Sequence, residues 1–166
     1  MKATGPTYTV HFKRRRKEKT NYAKRLALLK SEKPRLVVRK TNAYIIAQIV
    51  VFDEKGDKTI TSTSSKELNK YGFKGKSNTP SAYLTGFLAG KKALSKGVKE
   101  LVLDLGLYPV IKGSVIFAAQ KGAVDAGLKS NYSQEILPSE DRLTGKHLKQ
   151  ETSVAEAKSK IIQQLK

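Results

Sequence analysis

Alternating hydrophobic and polar positions predict three consecutive β-strands in the first part of the chain. Residues 35–40 alternate apolar and basic side chains, whereas residues 43–51 are apolar on both faces, as expected of a central strand. A polar turn at 53–57 leads to a thinner, more polar strand at 58–63. Because the connections between these segments are short, we expect a three-stranded antiparallel meander.

A spacing of three to four residues between apolar side chains predicts helices around these strands. They are expected at about 20–30, 66–70, 79–95 and 114–127, with a last helix from 153 onward. Thr20 and Asn21 can cap the first helix, and Pro34 stops it. Thr79 can cap the third, with Pro80 at its first position, where a missing N–H costs nothing.

A strand at 100–105 and a loop at 106–113 precede the helix at 114–127, and residues 128–150 are expected to be irregular. A meander followed by βα units predicts an α/β fold, with a mixed sheet packed with helices. We therefore expect three parts, namely a basic N-terminal arm at 1–19, an α/β domain at 20–145 and a C-terminal extension with a helix at 146–166.

Two glycines, Gly86 and Gly90, lie inside the helix expected at 79–95. Glycine within a helix costs about 1 kcal/mol relative to alanine, so a close approach of backbones is the usual reason for its presence. We expect this helix to pack tightly on the sheet. The loop before it, with Lys74 and Lys76, is expected to be flexible and lacks the earlier glycine that a phosphate-binding P-loop requires.

The charge of the chain indicates a polyanionic partner. The 166 residues contain 33 Lys and Arg against 14 Asp and Glu, a net charge of +19. Residues 1–40 hold 14 of the basic residues and two acids, so about a quarter of the chain carries +12. Residues 1–19 also lack an apolar period, and burial cannot offset the entropy of ordering them. We expect them to order on a partner.

The composition excludes several kinds of site. The absence of cysteine excludes disulfides, thiol catalysis and cysteine-bound metals, and the two histidines, His11 and His147, lie outside the expected sheet. No apolar run approaches the roughly 20 residues of a membrane span, and the N-terminus lacks the apolar core of a secretory signal. We expect an intracellular soluble protein without a metal, cofactor, small-molecule substrate or membrane contact.

A metal-dependent nuclease on a ribonuclease-H-like α/β scaffold is the main enzymatic alternative. Such enzymes hold two divalent metals with acids on adjacent strands. Within the expected strands the candidate acid is Asp104, because Asp53 and Asp57 belong to a turn and residues 35–52 contain no acid. We expect Asp104 to be an ion-pair or capping partner.

The basic run at 13–17 is flanked by flat rings, which are those of Tyr8, His11, Phe12 and Tyr22. Cations neutralise phosphates, while rings and guanidinium planes stack on unpaired bases. Arg35 and Arg39 share one face of the first strand and could extend this surface onto the sheet. The pattern favours nucleic-acid binding over a localisation signal, and it leaves RNA and DNA both open.

The C-terminal helix has an amphipathic pattern of its own. Ser153 and Glu156 match a capping box at its start. The apolar stripe consists of Val154, Ala157, Ile161 and Leu165. We expect this stripe to dock on protein, either the core of the chain or a neighbour, and the alternative is a basic helix lying on RNA.

Several segments together resemble the archaeal and eukaryotic family of large-subunit ribosomal proteins that bind 5S ribosomal RNA, universal large-subunit protein eighteen. The arm resembles the family at Thr4–Tyr8, His11–Arg16 and Thr20–Tyr22, and the first hairpin at Lys33–Arg39, Thr41–Asn42 and Ile46–Gln48. The main helix resembles it at Asn78–Gly86 and Leu88–Lys92, and the last βα unit at Leu103–Gly106, Lys112–Ser114 and Ala126–Gly127. The resemblance covers nearly the whole chain up to about Gly145.

This resemblance implies a structural, non-catalytic protein of the cytoplasmic ribosome. Such a protein attaches 5S rRNA to the large-subunit rRNA at the central protuberance, beside neighbouring large-subunit ribosomal proteins. The implied RNA-facing residues are Tyr8, His11, Phe12, Lys13, Arg14, Arg15, Arg16, Lys17, Lys19, Thr20, Tyr22, Arg25, Arg35, Arg39, Asn42, Tyr44, Lys112 and Ser114. A free nucleic-acid chaperone with little preference among RNAs remains a further alternative beside the nuclease.

Overall fold

The computed structural model describes residues 5–165, so Lys2 and Thr4 of the expected arm lie outside the described residues. Its centre is a four-stranded sheet in the order β3-β2-β1-β4. The strands are β1 (Arg35–Lys40), β2 (Ile45–Val51), β3 (Lys58–Ser64) and β4 (Val102–Asp104). The first three form the expected antiparallel meander, and β4 pairs in parallel with β1. The mixed sheet and the α/β class are thus confirmed.

Helices surround this sheet. They are α1 (Lys13–Arg16), α2 (Tyr22–Leu29), α3 (Thr79–Leu94), α4 (Val115–Asp125), α5 (Glu140–Thr144) and α6 (Glu151–Gln164). Three 3-10 helices lie at Ser65–Tyr71, Gln134–Ile136 and Lys146–Leu148. The expectation of an irregular 128–150 is therefore wrong in part, because helical turns too short to show an apolar period form there.

The sheet has one inner and one outer face because side chains alternate along each strand. Leu36 and Val38 of β1 and Ala47 and Ile49 of β2 are fully buried on the inner face. In the register, Leu36 lies opposite Ile49 and Val38 opposite Ala47, so the pairs share this face. The helices α3 and α4 pack over it and complete the core.

The beginnings of two helices differ from the prediction. Asn78, and not Thr79, caps α3, and its Oδ1 accepts from the backbone N–H of Ser81 at 3.1 Å. Asparagine is the stronger N-cap, which accounts for the choice. The helix α6 begins at Glu151, two residues before the predicted capping box, because the carbonyl of Gln150 already accepts from the N–H of Val154 at 3.0 Å.

The glycines of α3 face α4 and not the sheet, which corrects their predicted role. A Cβ on Gly86 would overlap the carbonyl oxygen of Ala119, and one on Gly122 of α4 would overlap that of Tyr83. The two helix backbones therefore touch at this crossing. Only glycine permits this approach, because it has no Cβ between the two helix backbones, and the backbone atoms then come into van der Waals contact.

The apolar stripe of α6 docks on the chain's own core, which is one of the two protein surfaces that the prediction allowed. Val154, Ala157 and Ile161 are buried, and α6 packs on α3 and on the 3-10 helix Ser65–Tyr71. Lys158 of the same helix donates from Nζ to the hydroxyl of Tyr83 at 2.8 Å. The helix α6 is therefore packed against the same core as the preceding elements, whereas residues 146–149 are exposed.

The basic loop before α3 is held in place by hydrogen bonds, although its sequence suggested flexibility. The N–H of Gly75 donates to the side chain of Asn69 at 3.3 Å, and the N–H of Lys76 donates to Ser81 Oγ at 3.0 Å. The Ser77 hydroxyl donates to the carbonyl of Asn42 at 2.9 Å. These bonds join the loop to the 3-10 helix before it, to the first turn of α3 and to the turn between β1 and β2.

Candidate nucleic-acid interface

The outer face of the sheet carries the charged side chains of β1, and the segment 14–28 lies over it. Between them is a cleft of about 480 Å³. Its basic lining comes from Arg14, Lys19, Lys24, Arg25 and Arg39, and its apolar lining includes Leu28, Leu103, Leu105, Leu107 and Val110. The single acid in the lining is Asp104. Cations and apolar side chains thus line the same cleft, which suits a polyanion that carries flat apolar groups.

The basic run forms a single helical turn, α1, in a segment without an apolar period. The N–H of Arg16 donates to the carbonyl of Phe12 at 3.0 Å, which closes the turn. All the side chains of this turn, as well as Lys17 and Lys19, are exposed. Because one turn needs no buried face, the apolar pattern gave no sign of it.

The rings beside this turn form two tilted pairs. The centroids of Phe12 and Tyr22 lie 5.3 Å apart at 51°, and those of Tyr8 and His11 lie 6.5 Å apart at 58°. Phe12 is 72% exposed. Tyr8, His11 and Tyr22 are half-buried. Accessible rings next to clustered cations match the chemistry of single-stranded RNA recognition, in which bases stack on aromatic faces.

Two local bonds shape the entry from the arm into α2. The Nε of Arg14 donates to Thr20 Oγ1 at 2.9 Å, which folds the basic turn back toward the helix. Asn21 caps α2, because its Oδ1 accepts from the N–H of Lys24 at 3.1 Å. The predicted cap is confirmed, with Asn21 as the capping residue and Thr20 as the partner of Arg14.

A chain of alternating charges crosses the outer face below α2. Nη2 of Arg25 donates to both oxygens of Asp57, at 2.8 and 2.9 Å, and Nη2 of Arg35 reaches Asp57 Oδ2 at 2.6 Å. Arg35 also donates from Nη1 to Asp104 Oδ2 at 3.2 Å. Arg39 ends the chain, with Nη2 3.6 Å from Asp104 Oδ1. The network joins α2, β1, β4 and the turn before β3.

Arg35 and Arg39 share a face as predicted, but they differ in exposure. The side chain of Arg35 is 2% exposed, and that of Arg39 is 40% exposed. A buried guanidinium that already bonds two carboxylates has no open side for a phosphate. We therefore leave Arg35 out of the candidate interface and keep Arg39, whose Nη1 bonds the carbonyls of Val38 and Asp104.

Asp104 is an ion-pair partner, as the sequence predicted. Besides the two arginines, its Oδ1 accepts from the N–H of Gly106 at 2.8 Å. Asp57, the other acid near the sheet, is held by Arg25 and Arg35. Both carboxylates are thus committed to arginines, and within residues 5–165 no three His, Asp or Glu side chains form a group fit to hold a metal ion.

The remaining candidates lie beyond the ends of β1 and β4. Tyr44 is partly exposed, and Asn42 is exposed in the turn after β1. Lys112 is 74% exposed and makes only a loose pair with Glu135, at 3.5 Å. Ser114 precedes α4, but its Oγ is buried and has no hydrogen-bond partner among the described residues. The hydroxyl of Ser114 is therefore not available to an RNA, whereas the other three side chains are.

Sequence reasoning missed the loop that forms one wall of the cleft. Leu107 and Val110 line it while remaining more than half exposed, and Lys24 adds a cation from α2. The signal in the sequence that could have identified this wall is the apolar run at 107–111, which forms a loop and is not buried. The sequence carries no signal for the ion pairs of Asp57, because Arg25 and Arg35 lie 32 and 22 positions away along the chain.

Comparison with known proteins shows what this chain is similar to. A family model described as "Ribosomal large subunit proteins 60S L5, and 50S L18" matches residues 6–101. A protein of Korarchaeum cryptofilum named "Large ribosomal subunit protein uL18" is 55% identical over 142 residues, which cover 85% of this chain and 73% of that protein. In the described part of the chain, no helix is both long and apolar enough to cross a membrane.

Proposed function

Because this chain belongs to the family of large-subunit ribosomal proteins that comprises 60S L5 and 50S L18, we propose that it binds 5S rRNA and attaches it to the large-subunit rRNA at the central protuberance. The family consists of structural proteins of the cytoplasmic large ribosomal subunit and not of enzymes. Ribosomal RNA and other ribosomal proteins are accordingly its partners. The proposal therefore concerns which ribosomal RNA the chain binds and which of its residues contact that RNA.

One observation carries the proposal. The exposed cations of residues 13–19 and the ring of Phe12 lie beside a cleft that both basic and apolar side chains line. The cations of Arg14, Lys19, Lys24 and Arg39, which line this cleft, can neutralise phosphates of a bound RNA. The exposed ring of Phe12 and the half-buried ring of Tyr22 can stack on unpaired bases. An RNA with both helical and unpaired segments satisfies both kinds of contact.

The two parts of the interface have different tasks in this proposal. The arm supplies most of the cations of this interface. It therefore supplies most of the affinity for RNA and most of the dependence of that affinity on salt. Arg39, Asn42, Tyr44 and Lys112 lie on or next to the sheet, and they set the position of the RNA relative to the domain. The hydroxyl of Ser114 and the guanidinium of Arg35 take no part in contacting RNA.

The test is a titration of fluorescently labelled 5S rRNA with the full-length protein, set against a transfer RNA transcript as a folded control. We expect tighter binding to 5S rRNA across a salt series from 50 to about 300 mM, and a ternary complex when a large-subunit rRNA fragment is added. Equal affinity for both RNAs at every salt concentration would indicate a general nucleic-acid chaperone. Binding to 5S rRNA without a ternary complex would remove the attachment role only.

A further inference from the structure

One polar contact joins the basic N-terminal segment to the rest of the domain. Among residues 5–165, the pair of Arg25 and Asp57 is the one hydrogen bond or ion pair between residues 5–30 and residues 33–165. The helix α2 that carries Arg25 has no buried residue. Tyr22, Leu28 and Leu29 of this helix are half-buried, so apolar packing holds it in part, and the ion pair is the specific polar contact that orients it.

Asp57 is itself fixed from below. The buried guanidinium of Arg35 bonds its Oδ2 at 2.6 Å and bonds Asp104 of β4 with the other nitrogen. Arg35 lies on β1, in the middle of the sheet. The carboxylate of Asp57 is thus held by the sheet through Arg35, and it gives α2 a fixed partner for Arg25. Without this shared acid, the two guanidinium groups would repel each other.

We propose that Asp57 is a positioning residue for RNA binding: it orients α2, and with it the basic arm, relative to the contacts carried by the sheet. The inference rests on the proposed function. An arm whose attachment helix α2 is already oriented has less conformational entropy to lose when RNA binds, so affinity is higher than for an arm attached only by its linker. Asp57 acts through Arg25 and touches no RNA itself.

This role predicts an effect opposite in sign to simple electrostatics. Replacing Asp57 by asparagine raises the net charge of the protein by one and releases Arg25, which by charge alone strengthens binding to a polyanion. If Asp57 only masked Arg25, its loss would add one phosphate contact and steepen the salt dependence by about 0.7–0.9. If it positions α2, the whole arm loses its orientation, and affinity falls.

The experiment measures affinity for 5S rRNA at one fixed salt concentration for Asp57→Asn, Asp57→Glu and Glu54→Gln. Glu54→Gln removes an exposed acid from the same turn and is the matched charge control. We expect Asp57→Asn to bind roughly three- to tenfold more weakly, Asp57→Glu to recover part of the loss, and Glu54→Gln to bind as tightly as the wild type or slightly more tightly. Circular dichroism at the same temperature confirms that each variant is folded.

A second set separates positioning from loss of fold. Arg25→Gln leaves the Arg35–Asp57 pair intact, and Lys30→Gln, which removes an exposed charge at the end of the same helix and outside the cleft, is its control. Arg25→Gln should weaken binding more than Lys30→Gln, and Asp57→Asn should add little in the Arg25→Gln background, because both act through one contact.

A spectroscopic measurement reports the position of α2 directly. The chain has no cysteine, so Leu26→Cys on α2 and Ala155→Cys on α6 give a unique pair of spin labels. Without RNA, double electron–electron resonance should show a narrow distance distribution that broadens in Asp57→Asn and not in Glu54→Gln. Unchanged distributions, or Asp57→Asn binding as tightly as Glu54→Gln, would overturn the inference. A wild type that shows no preference for 5S rRNA would instead overturn the proposed function.

Discussion

Arg35 donates to the carboxylate of Asp57 across 2.6 Å while its own side chain is 2% exposed. A cation at this depth is tolerated only where acids compensate it, and Asp57 and Asp104 do so from two different elements. Arg35 has the charge that a phosphate contact needs, but its ion pairs stabilise the fold instead. Arg39, four residues later on the same face, stays partly exposed.

The two arginines should therefore separate stability from binding. We expect Arg35→Met to lower the free energy of unfolding by about 2–4 kcal/mol, because it leaves two acids without their shared cation. Arg39→Met should change the free energy of unfolding by less than about 1 kcal/mol, as for a partly exposed pair, and should weaken RNA binding several-fold. Urea denaturation and RNA titration of both variants check this, and equal losses of affinity in the folded variants would contradict it.

Removal of residues 1–19 should weaken RNA binding strongly and leave the domain folded. The segment carries seven Lys and Arg against Glu18, and within the described residues the first buried side chain is that of Arg35. The slope of log K against log salt should fall by about 0.7–0.9 for each phosphate contact that is lost. An unchanged salt slope for the truncated protein would show that the arm does not bind RNA.

The arm should also be the part of the isolated protein that protease removes first. Its side chains from Lys13 to Lys19 are exposed, and nothing before α2 is buried among the described residues. We expect limited trypsin digestion to trim the chain to near Lys24 and leave a stable core, and 5S rRNA to protect the arm. An arm that resists trypsin without RNA would contradict this.

The crossing of α3 and α4 should not tolerate even one added methyl group. A Cβ at Gly86 overlaps the carbonyl oxygen of Ala119, which belongs to a helix backbone and cannot move aside. We expect Gly86→Ala to lower the free energy of unfolding by about 2–4 kcal/mol, despite alanine's better helix propensity. Gly5→Ala is the control, since nothing lies within 4 Å of that position. Thermal denaturation of both variants tests the difference.

The apolar stripe of α6 should matter more for stability than its basic residues do. Ile161 is fully buried, so Ile161→Asp places a charge in the core and should cost about 3–5 kcal/mol. Lys158→Ala removes a partly buried contact with Tyr83 and should cost about 1 kcal/mol. The opposite ranking in chemical denaturation would show that α6 is held by its charges.

Alkaline pH should weaken the attachment of α6 and α4 to α3. Burial, and then the neighbouring Asp125 carboxylate, raise the pKa of Tyr83 well above its ordinary value. Since the folded pKa is the higher one, this stabilisation is complete below the unfolded pKa of about 10 and is lost as the pH rises above it. The stability advantage of the wild type over Tyr83→Phe should therefore shrink between pH 9 and 11, and an advantage that grows would contradict the assignment.

The sequence by itself determined the elements whose patterns are local. Alternation located β1 to β3 to within two residues, and helical spacing located α3, α4 and the buried stripe of α6. The concentration of charge in the first forty residues was likewise a property of composition. The basic and aromatic members of the candidate interface before Tyr22 followed from that charge and from the resemblance to a ribosomal family.

The tertiary structure decided every feature that depends on a partner distant in the chain. The same strand pattern describes Arg35 and Arg39, and only the positions of Asp57 and Asp104 make the first a buried ion pair and the second a partly exposed one. Gly86 indicated a close approach, but α4 as its neighbour became visible only in the packing. Apolar periodicity reports which side of an element is buried, because burial requires a continuous face. An ion pair requires only two side chains, so it leaves no period in the sequence.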